Sequence, residues 1–485
     1  MKKHILSLIL IVSYLNWLVE AAVERPKPIL LSIEKYVELA LEKSLESQSA
    51  KESFLSSRYS WMATNRTLTW PTLNLAAAQE SSFTDNDEGT ETDKEVRNAQ
   101  LSLNQPFLSG AKLSLSGNWT ESETETDTLG ALSESRTRQR PDVQASLTQP
   151  LYVFQRNDAL RSRKEARLSL ENAQDTFRNS ILSIEFDARS RYYTLLLNQQ
   201  SLEVERKKYE SARLVHNMTT ALVKAGKLAK VELLRSDIRA KTDERRIQNT
   251  EINFDKELNQ AKDLILYPID TPVRLSSQLR YTPFTVPLDT LIDVAVKKNP
   301  PLNIARRQLE LARLSLQQTK EGNNPDVNVN GTYGKTYDRS DLSDPSNPYS
   351  WSAGLNLTWP FFDATQTYLQ SQQSEISYRN TARALETEER QLRVNIENLY
   401  LDIKRIEDQI VNFGLHRESA TQSLVAIRLQ YRNGLARLTD VFDAENQLRD
   451  IDLEYLRLLV DFNTARDRLS LLTGEAISKM EGKGQ

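Results

Sequence analysis

Leu392, Ile396, Leu399, Ile403, Ile406, Ile410 and Phe413 form an apolar series that resumes after Arg417 at Ala420, Leu424, Ile427 and Tyr431. A second series returns through Val441, Ala444, Leu448, Ile451, Tyr455, Leu458, Phe462, Ala465, Leu469 and Leu472. Both alternate steps of three and four residues, the 3.5-residue period that keeps one helix seam against a partner. Between them stands Tyr431-Arg432-Asn433-Gly434. Asn-Gly supplies the positive φ that stops one helix and lets another begin. The stretch predicts a long helical hairpin with a sharp tip.

Residues 147–266 repeat the plan. Leu147-Thr148-Gln149-Pro150, a long helical stretch, Gly226 and a shorter helix match Leu357-Thr358-Trp359-Pro360, a long helix, Gly434 and a shorter helix. Pro150 and Pro360 stand 210 residues apart, and Gly226 and Gly434 stand 208 apart. Landmarks that stay in step over such a distance predict an internal duplication.

The first repeat is expected over 22–267, with helices 32–64, 158–223 and 228–266 and strands within 70–150. A linker, 268–287, leads to a second repeat over 288–474, with helices 289–320, 363–431 and 436–472, and then a tail, 475–485. Ser32 and Asp289 are good N-cap residues for the short helices. Each long helix would reach ~100 Å at 1.5 Å per residue. Each pair of short helices reaches that length only when stacked end to end, which predicts a rod. The first long helix has two apolar stripes, Ile181, Tyr192, Leu195 and Leu202 on one and Leu182, Phe186, Tyr193 and Leu196 on the other. It therefore needs neighbours on two sides.

Between the helices the period falls to two. Leu101-Ser-Leu103, Leu113-Ser-Leu115, Val143-Gln-Ala145-Ser-Leu147, Val327-Asn-Val329 and Leu355-Asn-Leu357-Thr-Trp359 alternate apolar with polar or small residues. Such segments, separated by polar loops, are the pattern of a membrane-spanning β-barrel. Trp70, Tyr152, Phe154, Trp359, Phe361 and Phe362 cluster where strands meet helices, as aromatics at a membrane interface do. Segments 84–95, 121–139 and 338–348 read as solvated loops. The second half offers two strands, 326–337 and 349–359. The first offers up to four, 72–83, 96–105, 111–120 and 141–149, so two and four both remain open there. An open sheet in lipid leaves unsatisfied edges, so it has to close with other copies.

Met1 to Ala21 reads as a secretory signal: Lys2 and Lys3, an apolar run Ile5–Leu18, and Val19-Glu20-Ala21 at the cleavage point. The absence of cysteine excludes a lipid-modified N-terminus, disulfides and thiol catalysis. A net charge of −3 gives no basic field for nucleic acid. His216 and His416 are solitary, and no phosphate-binding glycine loop occurs. No active site, cofactor or metal site is expected.

The segment Tyr431-Arg-Asn-Gly434-Leu-Ala-Arg-Leu-Thr-Asp440-Val-Phe-Asp443-Ala resembles the tip-and-gate motif of the TolC family of outer-membrane efflux channels. The landings Gln149-Pro150 and Trp359-Pro360, and Ala295-Val-Lys-Lys-Asn299-Pro300, support the resemblance, which covers essentially the whole mature chain. It implies an α+β membrane protein: a homotrimer whose strands share one transmembrane β-barrel and whose coiled-coil hairpins form a periplasmic tunnel. The extra strand signals of the first half depart from the family's commonest pattern, a twelve-stranded barrel.

For sites, the resemblance implies a periplasmic gate at Asp440 and Asp443, with Glu232 and Tyr431 in the network that holds it shut. The network's usual basic member falls at Ala436, which leaves Arg432 and Arg437 as substitutes. In the repeat, Asp440 corresponds to Glu232 and Asp443 to Arg235, so only the second copy has the acid pair. The same two acids also oppose the dipole of the helix that follows, an ordinary reason for their presence. The tips Gly226, Lys227, Leu228 and Gly434, Leu435, Ala436 are the expected docking points of an adaptor. The function expected is a non-enzymatic, passive exit duct in the outer membrane. It would work with an inner-membrane pump and a periplasmic adaptor in tripartite efflux or type I secretion. An adaptor or a coiled-coil scaffold is the alternative.

Overall fold

The computed structural model describes residues 29–86, 90–128, 132–153, 157–337, 349–363, 365–477 and 480. The signal segment 1–21, Phe154 and the loop 338–348 lie outside them. The chain forms two compact units, one of Met1–Lys51, Phe177–Pro300 and Glu389–Gln485, the other of Glu52–Thr176 and Pro301–Glu388.

The second unit holds a six-stranded antiparallel sheet in the order β2 (Thr72–Asn86), β3 (Thr90–Pro106), β4 (Lys112–Thr128), β5 (Glu134–Leu151), β7 (Asp326–Thr336) and β8 (Tyr349–Thr358). The first half of the chain thus supplies four strands and the second half two. Strand pairing runs straight through 90–95, 121–128 and 134–139, which sequence reads as loops. Cross-strand polar pairs carry the ladder there: Arg97 meets Glu121 at 3.6 Å, and Gln139 donates to Glu121 at 2.8 Å. Polar composition marks these strand ends as wet without making them irregular.

Side-chain parity is the sheet's main property. Leu73 pairs with Leu103, Leu103 with Leu115, Leu115 with Ala145, Ala145 with Tyr333 and Tyr333 with Trp351. The next row on that face joins Leu75, Leu101, Gly117 and Val143. Directly opposite residues share a face, so the apolar positions of all six strands lie on one side. Thr72, Asn104, Ser114, Ser146 and Thr332 form a row on the other side. This unit also holds α2 (Leu45–Thr67) from Glu52 onward, the first part of α3 (Asp158–Lys224), α6 (Pro300–Glu321) and the first part of α7 (Gln366–Arg432). Arg307 joins α6 to α3 through Asp175 at 2.6 Å.

The first unit holds α1 (Ile33–Lys43), the rest of α3, α4 (Lys230–Leu264), α5 (Leu288–Lys298), the rest of α7 and α8 (Leu438–Thr473). A parallel pair, β1 (Ile29–Leu31) with β6 (Val273–Leu275), lies over a core of Tyr36, Ala40, Ile184, Tyr192, Leu195 and Ile265. Tyr192 donates to the Leu31 carbonyl at 2.7 Å, and Tyr36 donates to that of Ala261 at 3.1 Å. One stripe of α3 is buried here. Tyr193, on the other stripe, donates to Asp467 of α8 at 2.9 Å. The chain itself covers both stripes, so the two-faced pattern of α3 does not by itself require a second copy.

Three local expectations need correction. The stretch 32–64 is two helices, broken at Ser44, whose ψ is 144° and whose hydroxyl accepts from the Ser47 N–H at 3.2 Å. The stretch 289–320 breaks at the equivalent Asn299, because Pro300 drives the preceding residue out of the helical region. Asp289 is a first-turn acid rather than the cap, which is Pro287, whereas Ser32 does cap its helix by accepting from Lys35 at 3.2 Å. The linker 268–287 is not slack: Glu407 accepts from the Phe284 N–H at 2.7 Å, and Phe284 and Val286 are buried.

Candidate functional site

Both tips are built the same way. At the first, Gly226 (φ 73°) donates to Val223 and Lys227 donates back to Leu222; at the second, Gly434 (φ 76°) donates to Tyr431 and Leu435 to Gln430. These are the paired bonds of a Schellman end, which needs a left-handed residue after the last turn. A Cβ at either glycine would meet nothing within 4 Å, so backbone conformation and not crowding selects glycine. Lys227, Gly434 and Leu435 are exposed, and Leu228 and Ala436 are half-buried.

A small core lies behind the tips. Val215, Tyr431, Leu438 and Val441 are buried together, with Met218, Leu222, Leu228 and Ala436 packed around them. The Tyr431 hydroxyl sits 2.7 Å from the Thr219 hydroxyl, which also donates to the Val215 carbonyl. Burial raises the Tyr431 phenol above its ordinary value; the Thr219 bond opposes this and the Glu232 charge adds to it. Glu232 itself is paired with Arg235 at 3.0 Å. So the structure places Tyr431 and Glu232 in one neighbourhood, while each has its closest polar partner elsewhere.

Asp440 and Asp443 are exposed on the first turns of α8. The Asp440 carboxylate accepts from the Arg437 N–H at 2.9 Å, so it also serves as a helix-start acceptor. Arg437 enters through its backbone here.

A group of residues that sequence reasoning missed lies farther along these helices. Asp243 of α4, with no side-chain exposure, is surrounded by Lys208 at 3.7 Å, Arg239 at 3.3 Å and Arg246 at 3.6 Å. Glu445 of α8 faces Arg428 at 3.0 Å and also accepts from Ser211. Asn446 accepts from Lys208 at 2.9 Å and from Arg239, joining α3, α4 and α8. Burial, opposed by Asp243, pushes the Lys208 ammonium down to about 8. Burial likewise raises Glu445 above the usual carboxylate range, against its Ser211 bond and Arg428. Both Asp243 oxygens and one Glu445 oxygen lack a hydrogen-bond partner despite these near charges. A buried polar network left partly unsatisfied is costly to disturb by losing one member.

Among the described residues no three His, Asp or Glu side chains converge as a metal site requires. His216 lies 2.9 Å from the Ser236 hydroxyl, and His416 packs against the Phe413 ring.

The interfacial aromatics fall at the end of the sheet where the helices enter. Trp70, Trp359, Phe361 and Phe362 are exposed, Tyr152 is half-buried, and Trp359 donates to the Asn323 carbonyl at 3.1 Å. A second aromatic level was missed: Trp119, Tyr333 and Trp351, on the apolar face toward the opposite end. From Trp351 to Trp359 is eight residue steps, or ~26 Å along a strand. The parity of Trp119 and Trp351 with neighbouring leucines was the available signal.

The profile of the family "Outer membrane efflux protein" matches residues 291–475. The alkaline protease secretion protein AprF of Pseudomonas aeruginosa is 21% identical over 361 residues, 72% of this chain and 73% of AprF. The outer membrane protein TolC of Salmonella enteritidis is 25% identical over 170 residues, 34% of this chain and 35% of that protein. The solved outer-membrane channel OprN superposes with a TM-score of 0.68 at 14% identity, covering 92% of this chain and 90% of its own. The second tip, its two acids and the helices that carry them lie inside the matched segment, so over residues 291–475 the chain is similar to the outer membrane efflux proteins, and over 72% of its length to the secretion protein AprF.

Proposed function

We infer that this protein is a passive exit duct of the outer membrane, serving a tripartite efflux or type I secretion system. Three copies close one barrel in lipid, and their helices carry the conduit into the periplasm. An inner-membrane pump supplies the energy, and a periplasmic adaptor bridges the two; the chain does no chemistry of its own. One observation carries this reading: a six-stranded sheet with a continuous apolar face and two unpaired edges. Lipid tolerates no open edge, because every backbone polar group there needs a partner. An adaptor or a coiled-coil scaffold has no use for such a face. The name of the relative AprF, an alkaline protease secretion protein, supports the export of protein cargo.

At the periplasmic end, three copies bring six carboxylates of Asp440 and Asp443 around one axis, held from behind by the core of Tyr431 and Thr219. Acids crowded in a narrow, low-dielectric opening concentrate negative potential and favour cations. Asp440→Ala with Asp443→Ala should move the single-channel reversal potential across a salt gradient toward non-selectivity and abolish block by multivalent cations. Oligomer yield should be unchanged, since both residues are exposed. A double variant as cation-selective as wild type would remove these acids from the gate.

Adaptor docking falls on the tips, whose glycines leave open space on their outer side. Gly226→Val or Gly434→Val should reduce export at least tenfold while oligomers still reach the membrane, because Val resists positive φ and fills that space. Normal export by both would exclude the tips from docking.

A further inference from the structure

All six strands, and not four, show the features of a barrel wall. The paired row that starts at Leu75 passes Leu101, Gly117, Val143 and Lys335 and ends at Tyr349. The middle of the apolar stretch does not follow that row. It stays at Leu75 and Leu101 in β2 and β3, and lies near Ser116 in β4, Ala145 in β5, Asn330 in β7 and Gly354 in β8. Each successive departure runs toward the end where the helices enter, and across the five strand steps it reaches about five residues. One residue of ~3.3 Å for each ~4.8 Å between strands is a tilt of ~35°, the value a closed spanning barrel needs. The band itself includes β2 and β3, where it lies on the paired row, and the upper aromatics Trp119, Tyr333 and Trp351 stand at one height when measured from its middle. The turn 107–111 between β3 and β4 is also fixed to the strand-to-helix landing, since Asn157 donates to the Leu108 carbonyl at 2.7 Å and Gln149 to that of Ser109 at 3.3 Å.

The edges match one another. Six strands of alternating direction leave β2 and β8 running oppositely, so β8 of one copy meets β2 of the next as an antiparallel pair. Resting on the three-copy duct inferred above, we propose that the strands close an eighteen-stranded barrel through β2–β8 pairing between copies, with Leu75 opposite Ala353 or Leu355 of the neighbour. These two registers keep odd residues facing lipid on both strands and carry the apolar band across the seam at one height. At ~4.8 Å between strands and ~35° tilt, eighteen strands close at a backbone diameter of ~34 Å, against ~23 Å for twelve. The outer passage then clears a folded secondary-structure element as well as a small solute.

The chain has no cysteine, so engineered pairs report without background. On the polar face, Asn74→Cys should meet Gly354→Cys or Asn356→Cys of the neighbouring copy, within the reach of a direct cross-strand pair. The test is oxidation of full-length double variants in isolated outer membranes, with a short dithiol-reactive linker in parallel, read on denaturing gels. The mass of the same samples is measured in mild detergent. Covalent dimers and trimers from Asn74→Cys with one of the two partners are expected, and none from Ser116→Cys with either. Links from Ser116→Cys would make β4 the edge and overturn the proposal, as would links closed within a single chain. Trimers by mass in which Asn74→Cys links to neither partner would overturn it too. A folded monomer by mass would instead defeat the duct reading itself. End-on electron images of the unmodified oligomer give an independent check: a ring near 23 Å in place of ~34 Å refutes eighteen strands.

Discussion

Asp243→Ala should destabilise the helical unit by ~3–5 kcal/mol, the cost of removing one partner from a buried charge group. The side chain has no exposure and faces three cations, Lys208, Arg239 and Arg246, of which Lys208 is almost as deeply buried. Truncation leaves that positive charge in a low dielectric, with the neutral Asn446 as the near acceptor of Lys208. The pH dependence has a definite sign. Lys208 falls from an ordinary 10.5 in the unfolded chain to about 8 in the folded one. The folded state therefore holds fewer protons between these values, and stability rises as pH climbs through that window. Without Asp243 to favour the ammonium, the rise should begin below pH 8, so the penalty of the variant shrinks on the alkaline side. Denaturant titration of the detergent-solubilised protein between pH 6 and 9.5 measures both effects. A loss under ~1 kcal/mol at pH 7, typical of exposed ion pairs, would show that the network is solvated.

None of this network was legible beforehand. Asp243 lies among Lys241, Glu244, Arg245 and Arg246, and a charge run of that kind reads as a solvated helix face. Its burial depends on Lys208, 35 residues back across the tip, and on Asn446, beyond the second tip. The tips themselves were legible because their chemistry is local: a glycine in a left-handed position, two backbone bonds, and an apolar seam on each side. The helix breaks lay between these cases. Ser44 and Asn299 both follow an Ala-x-x-Lys stretch and both donate back to that alanine's carbonyl, Ala40 or Ala295. Pro300 announced the second break, whereas Ser44 sits in a run of good helix formers and gave no comparable warning. At the gate, the acids were named from resemblance, but the Tyr431 partner, Thr219, is 212 residues away and carries no motif. The strands were legible through the middle of the apolar band and lost at 121–128 and 134–139, where pairing continues under polar composition.

Leu115→Arg should cost ~2–4 kcal/mol of folding free energy in lipid, and Leu355→Arg a similar amount, as charge at a bilayer midplane does. Both residues are exposed in the single chain and belong to the apolar face, near the middle of the band in β4 and β8. Depth makes the test stricter. Leu113 and Leu357 share that face but stand closer to the end where Trp70 and Trp359 lie, so Arg there should cost less, because its guanidinium reaches the interface. Ser116→Arg, one residue from Leu115, projects to the polar side and should stay within ~0.5 kcal/mol of wild type, as surface changes do. The order expected is therefore Leu115 and Leu355 most sensitive, Leu113 and Leu357 intermediate, and Ser116 tolerant. Refolding into phospholipid vesicles under denaturant titration gives the five values side by side. Equal costs at Leu115 and Ser116 would mean that the sheet has water on both faces. A larger cost at Leu113 than at Leu115 would shift the bilayer toward the helices and take the aromatic level of Trp119, Tyr333 and Trp351 out of the interface.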